Sequence, residues 1–210
     1  MASVTTAPAA TGLPESHGDG AHATSTGLSN AKVAMWAFLG SECLLFGALI
    51  STYLLYRGRS LSGTPRPRDV YDIPYTSVSS FVLLMSSLTM VLALAAIQRD
   101  EHHRARTWLL TTALLGSVFV GGQAYEFTVF YREGLRLQTN LFGSSFFVLT
   151  GFHGAHVTIG VLMLLSLFGL SARGRLPKER AETVELVGLY WHFVDVVWIV
   201  IFTLIYLIPS

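Results

Sequence analysis

Five stretches of the sequence, at about 31–56, 75–98, 106–131, 141–172 and 184–208, run apolar with few charges. A helix rising ~1.5 Å per residue needs ~20 such residues to cross a hydrocarbon core of ~30 Å, and each stretch is long enough. The hydrocarbon core holds no water to satisfy backbone groups, so segments of this kind fold as helices that close their own hydrogen bonds. Composition agrees, since 51% of residues are hydrophobic and 13% charged, which does not suit an ordinary soluble domain. The expected fold is an all-α integral membrane bundle of five transmembrane helices over residues 31–210. The connecting segments "RGRSLSGTPRPRDVYDIP", "RDEHHRAR", "REGLRLQTN" and "RGRLPKERAE" read as polar loops. Tyr53, Tyr56, Tyr75, Trp108, Tyr131 and Tyr206 gather near helix ends, where amphipathic rings favour the headgroup zone.

Residues 1–30 are rich in Ala, Ser, Thr and Gly and carry no apolar block, so a disordered polar tail is expected. No Lys or Arg precedes Lys32, and neither a cleaved signal nor a transit segment is indicated, which leaves insertion to the first helix. Five crossings put the termini on opposite sides. With the N-terminus inside and the C-terminus outside, 8 of the 14 Lys and Arg residues lie on the inner face, the direction the positive-inside rule favours. The near-zero net charge of +1 gives no footprint for nucleic acid. Cys43 is the only cysteine, so no internal disulfide forms, and it reads as a small apolar side chain.

Ionisable groups inside the runs carry the most information, because a charge at mid-bilayer costs ~2.5–3.5 kcal/mol even on the lenient insertion scale. They are Glu42, Glu126, His153, His156, His192 and Asp195, with Gln123 as an amide neighbour. They come from four runs and are expected to face inward and pair. His192 and Asp195 stand three apart, on one helix face, and are expected to share a neighbour. Glu42 is expected to be protonated or hydrogen-bonded to a histidine or hydroxyl of a facing helix. Counting from inner helix ends at ~1.5 Å per residue puts Glu42 and Asp195 ~16 Å deep, His192 ~12 Å and His156 ~24 Å, with Glu126 nearer the outer surface.

Three chemistries compete for this set. Haem iron held by His153 or His156 against His192 would need a slot for the ring. The glycines beside them, Gly151, Gly154 and Gly160, are the residues that let helices approach closely. An independent proton or ion carrier would suit a solitary glutamate such as Glu42, but no internal repeat or mid-run proline accompanies it. Polar fastening between helices accounts for all of the residues without a further component.

Five blocks, in order, resemble subunit III of the haem-copper terminal oxidases, the cytochrome c oxidase subunit III family: "MWAFLGSECLLFGALISTYLLYR", "IPYTSVSSFVLLMSSLTMVLA", "GGQAYEFTVF", "GSSFFVLTGFHGAHVTIGVLML" and "YWHFVDVVWIVIFTLIYL". Glu42 falls at the family's solitary buried glutamate, which reacts with carbodiimides. Gln123, Glu126 and Phe127 fall on its Gln-x-x-Glu-aromatic signature, and His153 and His156 on its two-histidine helix. The chain is similar to the bacterial five-helix form and lacks the first two helices of the long form. Those helices wall a phospholipid-filled cleft there, so a bound phospholipid here would need a wall from another subunit.

The resemblance implies an accessory subunit without haem, copper or a catalytic centre of its own, in a bacterial plasma membrane. Haem and copper then reside in partner subunits, chiefly the catalytic subunit I, among other respiratory subunits and membrane lipids. It implies that the chain stabilises an oxidase that reduces oxygen and pumps protons, and supports its proton uptake. A partner of a quinol oxidase or of a nitric oxide reductase is the nearest alternative. Arg99, His102, His103 and Arg104, on the inferred inner face, are read either as a proton-buffering surface or as anchors to anionic headgroups.

Overall fold

A computed structural model describes residues 27, 29–57, 73–132 and 141–208. The polar tail up to residue 26 and the connections at 58–72 and 133–140 lie outside the described residues. Five α-helices make up almost all of the described chain: α1 (Asn30–Arg57), α2 (Ile73–Gln98), α3 (His102–Arg132), α4 (Leu141–Ala172) and α5 (Ala181–Phe202). A short 3₁₀ segment, Lys178–Arg180, leads into α5, and a π-turn, Thr203–Leu207, closes it. No β-strand occurs among the described residues.

Four of these segments are long and apolar enough to cross a membrane: Asn30–Arg57, Pro74–Gln98, Leu141–Ala172 and Lys178–Leu207. Composition alone thus marks four of the five expected runs, and α3 is the one it leaves out. α3 is long, but hydroxyls, Gln123 and Glu126 interrupt its apolar character, and Thr112, Gln123 and Glu126 are buried against other helices.

The expected loop over 99–106 shrinks to Arg99–Glu101, and His102, His103 and Arg104 already belong to α3. α2 stops because Asp100 adopts a left-handed φ of 63°. The amide of Asp100 then bonds the Ile97 carbonyl and that of Glu101 bonds the Ala96 carbonyl, satisfying the helix end. Asp100 and Glu101 also place negative charge before the positive end of the α3 dipole. Gly174 ends α4 in the same way, at φ 67°, its amide bonding the Ser171 carbonyl and that of Arg175 the Leu170 carbonyl.

α2 and α3 form an antiparallel hairpin, α3 packs on α4, and α5 lies between α4 and α2. α1 is attached outside this ring, against α4 and α5. The ring is centred on Trp191 of α5, which is fully buried and donates its indole N–H to Ser86 Oγ on α2 at 2.9 Å. Gly116 of α3 and Gly160 of α4 make the slot for that indole: a Cβ at Gly116 would lie 2.5 Å from Trp191 Cη2, and one at Gly160 2.7 Å from Cε3. Two turns along α5, buried Trp198 donates to Ser80 Oγ at 2.8 Å and meets Phe119 edge-on, with centroids 4.9 Å apart.

Tyr75 and Tyr131 are exposed near helix ends, whereas Tyr53 and Tyr206, expected at the membrane surface, are buried in the core. Tyr53 packs on Phe142 and Tyr206 stacks on Phe202.

Candidate functional site

The polar residues of the apolar runs form separate interhelical links. In the first, Glu126 of α3, 6% exposed, accepts hydrogen bonds from Thr76 Oγ1 of α2 at 2.8 Å and from the Tyr206 hydroxyl at 3.1 Å. This joins three segments at the end of the bundle where α3 and α5 finish.

The second link answers why a histidine and an aspartate stand three apart on α5. Both turn to Ser87 of α2, whose hydroxyl donates to Asp195 Oδ2 and lies 3.0 Å from His192 Nδ1. A serine has one hydroxyl proton and acceptor lone pairs. With that proton on Asp195, Ser87 Oγ accepts from His192 Nδ1–H, so the neutral ring carries its hydrogen on Nδ1. Asp195 is 3% exposed, and its other oxygen has no hydrogen-bond partner among the described residues.

The third link attaches α1. Glu42 Oε2 lies 3.2 Å from His156 Nε2 of α4, with both side chains 14% exposed. His156 Nδ1 sits 2.7 Å from the Phe152 carbonyl, to which only an N–H can bond. Glu42 Oε2 makes no hydrogen bond among the described residues, so the pair is a close polar approach within ion-pair distance. Tyr190 of α5 donates to the His156 carbonyl at 3.0 Å, and Phe46 meets the His156 ring edge-on at 5.1 Å. The depth count had put Glu42 and His156 ~8 Å apart along the membrane normal, and the contact corrects it.

His153 departs from the polar reading. It is 0% exposed, neither ring nitrogen has a hydrogen-bond partner among the described residues, and it stacks on Trp198 with centroids 4.9 Å apart and planes 22° apart. Phe119 and Phe46 meet its ring at 6.0 and 6.5 Å, so it fills the core as an aromatic ring. Gln123 is buried one turn beyond Phe119, its Oε1 without a partner among the described residues and facing α4, where a Cβ at Gly154 would stand 3.6 Å away. No group of three or more His, Cys, Asp or Glu side chains suited to a metal ion occurs among the described residues.

At the α2–α3 turn, Arg99, His102, His103 and Arg104 are exposed. Two have acidic partners, His102 at 3.2 Å from Asp100 and Arg104 at 3.0 Å from Glu101. The same end of the bundle carries a Lys32–Glu185 pair at 3.0 Å and a Ser29–Glu182 hydrogen bond between the starts of α1 and α5. At the other end, Arg57 donates to the Leu204 carbonyl at 3.0 Å and to that of Ile208, capping the last turn of the chain. Sequence reasoning passed over the receptors of α2: Ser80, Ser86 and Ser87. The signal was a pair of serines seven apart, 80 and 87, on one face of an apolar helix.

A family profile described as cytochrome c oxidase subunit III matches residues 13–210. The chain belongs to the cytochrome c oxidase subunit III family. A probable quinol oxidase subunit 3 of Staphylococcus saprophyticus is 39% identical over 178 residues, covering 84% of this chain and 88% of that protein. A cytochrome c oxidase subunit 3 of Bacillus sp. (strain PS3) is 37% identical over 178 residues, 85% and 86% of the two chains. A cytochrome c oxidase subunit 3 of Thermostichus vulcanus is 38% identical over 177 residues, 84% and 86% of the two. This chain is thus a subunit III of the haem-copper oxidase type, and its fastenings are those of a membrane subunit.

Proposed function

We propose that the chain is the non-redox accessory subunit of a respiratory oxidase in a bacterial plasma membrane, stabilising the catalytic subunit and supporting its proton uptake. The complex then transfers electrons from cytochrome c or a quinol to oxygen, with haem and copper held by the partners. The observation that carries this reading is the closure of the buried imidazoles on separate neighbours. His153 is enclosed by aromatic rings, His156 is tied to Glu42 and the Phe152 carbonyl, and His192 to Ser87. Such a set suits fastening, and the close approach of Glu42 to His156 supports a polar contact that holds α1 against α4.

The reading includes a single membrane domain over residues 31–210 after a polar tail, with five crossings, N-terminus inside. α3 is taken as a crossing because it runs along α2 over several turns: Thr89 meets Thr112 at 2.8 Å and Thr76 meets Glu126 at 2.8 Å. The positive-inside balance supports the direction. On that face Arg99, His102, His103 and Arg104 meet lipid headgroups or the proton-uptake surface.

The test is purification of the tagged chain in mild detergent. Haem absorbance and oxygen consumption should co-purify with it. A complex rebuilt without the chain should reduce oxygen at a similar initial rate and lose activity over successive turnovers. A chain that purifies free of haem-containing partners, or a depleted complex that keeps full activity indefinitely, would refute the proposal.

A further inference from the structure

α1 and α2 each pack on α5, but their own main neighbours are α4 and α3, so a lateral groove runs between them over α5. It encloses a cavity of about 200 Å³ whose walls include Trp36, Met90, Val91, Leu94 and Leu189. At one end stands the Lys32–Glu185 pair, whose charges are already matched to one another. At the other stands His192, seven residues along α5 from Glu185 and so ~10 Å deeper. Gly188 widens the floor, since a Cβ there would come within 3.1 Å of Met90 Cε.

His192 decides what fits. Its Nδ1–H is committed to Ser87, whose own proton goes to Asp195. Among the described residues Nε2 has no hydrogen-bond partner and, in the neutral ring, is an acceptor. The cavity therefore offers apolar walls open to the bilayer and one acceptor at its deep end. A phospholipid would set its polar part at the shallow end and an acyl methyl against Nε2, leaving that nitrogen unpaired. A ring hydroxyl on an apolar tail has the opposite polarity, with the donor deep and the tail free to leave between α1 and α2.

We propose that this groove binds an isoprenoid hydroquinone, its ring between Trp36 and Met90 and one hydroxyl donating to His192 Nε2. The oxidised quinone, which has carbonyl acceptors and no hydroxyl, binds less well at the same place, because two acceptors face each other. The proposal concerns binding alone, and it rests on the membrane placement given under the proposed function.

The test uses the intact detergent-purified complex, freed of endogenous quinone and reconstituted in phosphatidylcholine vesicles. The probe is decyl-substituted benzohydroquinone, kept reduced under argon, with its oxidised form for comparison. Binding per complex is measured by centrifugation for the parent, His192→Phe, His192→Gln and Val91→Trp. The parent should bind one equivalent more than Val91→Trp, whose indole fills the groove from its lipid-exposed wall. His192→Phe should weaken that equivalent at least tenfold, the oxidised probe should bind severalfold more weakly than the reduced one, and His192→Gln, which restores an acceptor, should recover part of the affinity.

Equal binding by the parent and Val91→Trp would overturn the proposal. So would a loss of bound phospholipid phosphorus in Val91→Trp with hydroquinone binding unchanged. If His192→Phe fails to assemble, Val91→Trp decides alone. Co-purification with the haem-containing subunit is scored separately, so that failure of the subunit reading is distinguishable from failure of the groove.

Discussion

Gly116→Ala is the sharpest test of how the bundle closes. The added Cβ would lie 2.5 Å from Trp191 Cη2, 2.9 Å from Cζ2 and 3.0 Å from Val161 Cγ2. An ordinary contact is ~3.5–4.0 Å, so the indole must retreat by about 1 Å. It has no easy retreat, because Gly160 backs it on the opposite side at 2.7 Å and the Ser86 bond at 2.9 Å fixes its height. Overpacking of this kind costs ~1–3 kcal/mol, and a rigid ring with contacts on both sides places it at the upper end. Replacing a helical glycine by alanine returns ~1 kcal/mol in propensity. The net loss is therefore ~2 kcal/mol. Gly169→Ala on α4, where a Cβ meets nothing within 4 Å, keeps the gain without the clash and should be stabilising by ~1 kcal/mol.

The assay is the thermal unfolding midpoint of the purified complex in detergent, with Gly116→Ala, Gly169→Ala and the double variant Gly116→Ala/Trp191→Phe. Gly116→Ala should melt below the parent and Gly169→Ala at or above it. The smaller ring should relieve the clash, so the two changes should be non-additive. A Gly116→Ala midpoint equal to that of Gly169→Ala would refute the slot.

Three further outcomes follow from the links between helices. Ser87→Ala strips Asp195 and His192 of their shared partner and should destabilise by ~1–3 kcal/mol, and Asp195→Asn in that background should recover part of it; equal midpoints for Ser87→Ala and the parent would show that the hydroxyl contributes nothing. Glu42→Leu should loosen α1 by ~1 kcal/mol while Glu42→Gln stays near the parent, read as the fraction of α1 that stays with the complex after cutting at a protease site inserted after residue 57; indistinguishable retention would sink the link. Asp100→Gly should leave the midpoint unchanged within ~1 kcal/mol, whereas Asp100→Val, a β-branched residue forced to φ 63°, should cost ~1–2 kcal/mol, and an unaffected Val variant would mean the turn does not hold that conformation.

Length and polarity along the chain were enough to dictate five helices, because apolar segments of that length have one way to satisfy their backbone in hydrocarbon. The expense of burying charge also singled out Glu42, Glu126, His153, His156, His192 and Asp195 as inward groups, and helical spacing pointed His192 and Asp195 at one neighbour. Pairing was decided only by the tertiary structure. His153 and His156 lie three apart on α4, yet one is walled in by Trp198 and Phe119 and the other meets Glu42 of α1. Which glycines matter was equally hidden, since Gly116 and Gly160 are distinguished from Gly169 only by the indole that α5 brings between them. Sequence spacing reports the face a side chain takes on its own helix; the neighbour it meets depends on how helices far apart in sequence slide, tilt and rotate until their rings and small residues interlock.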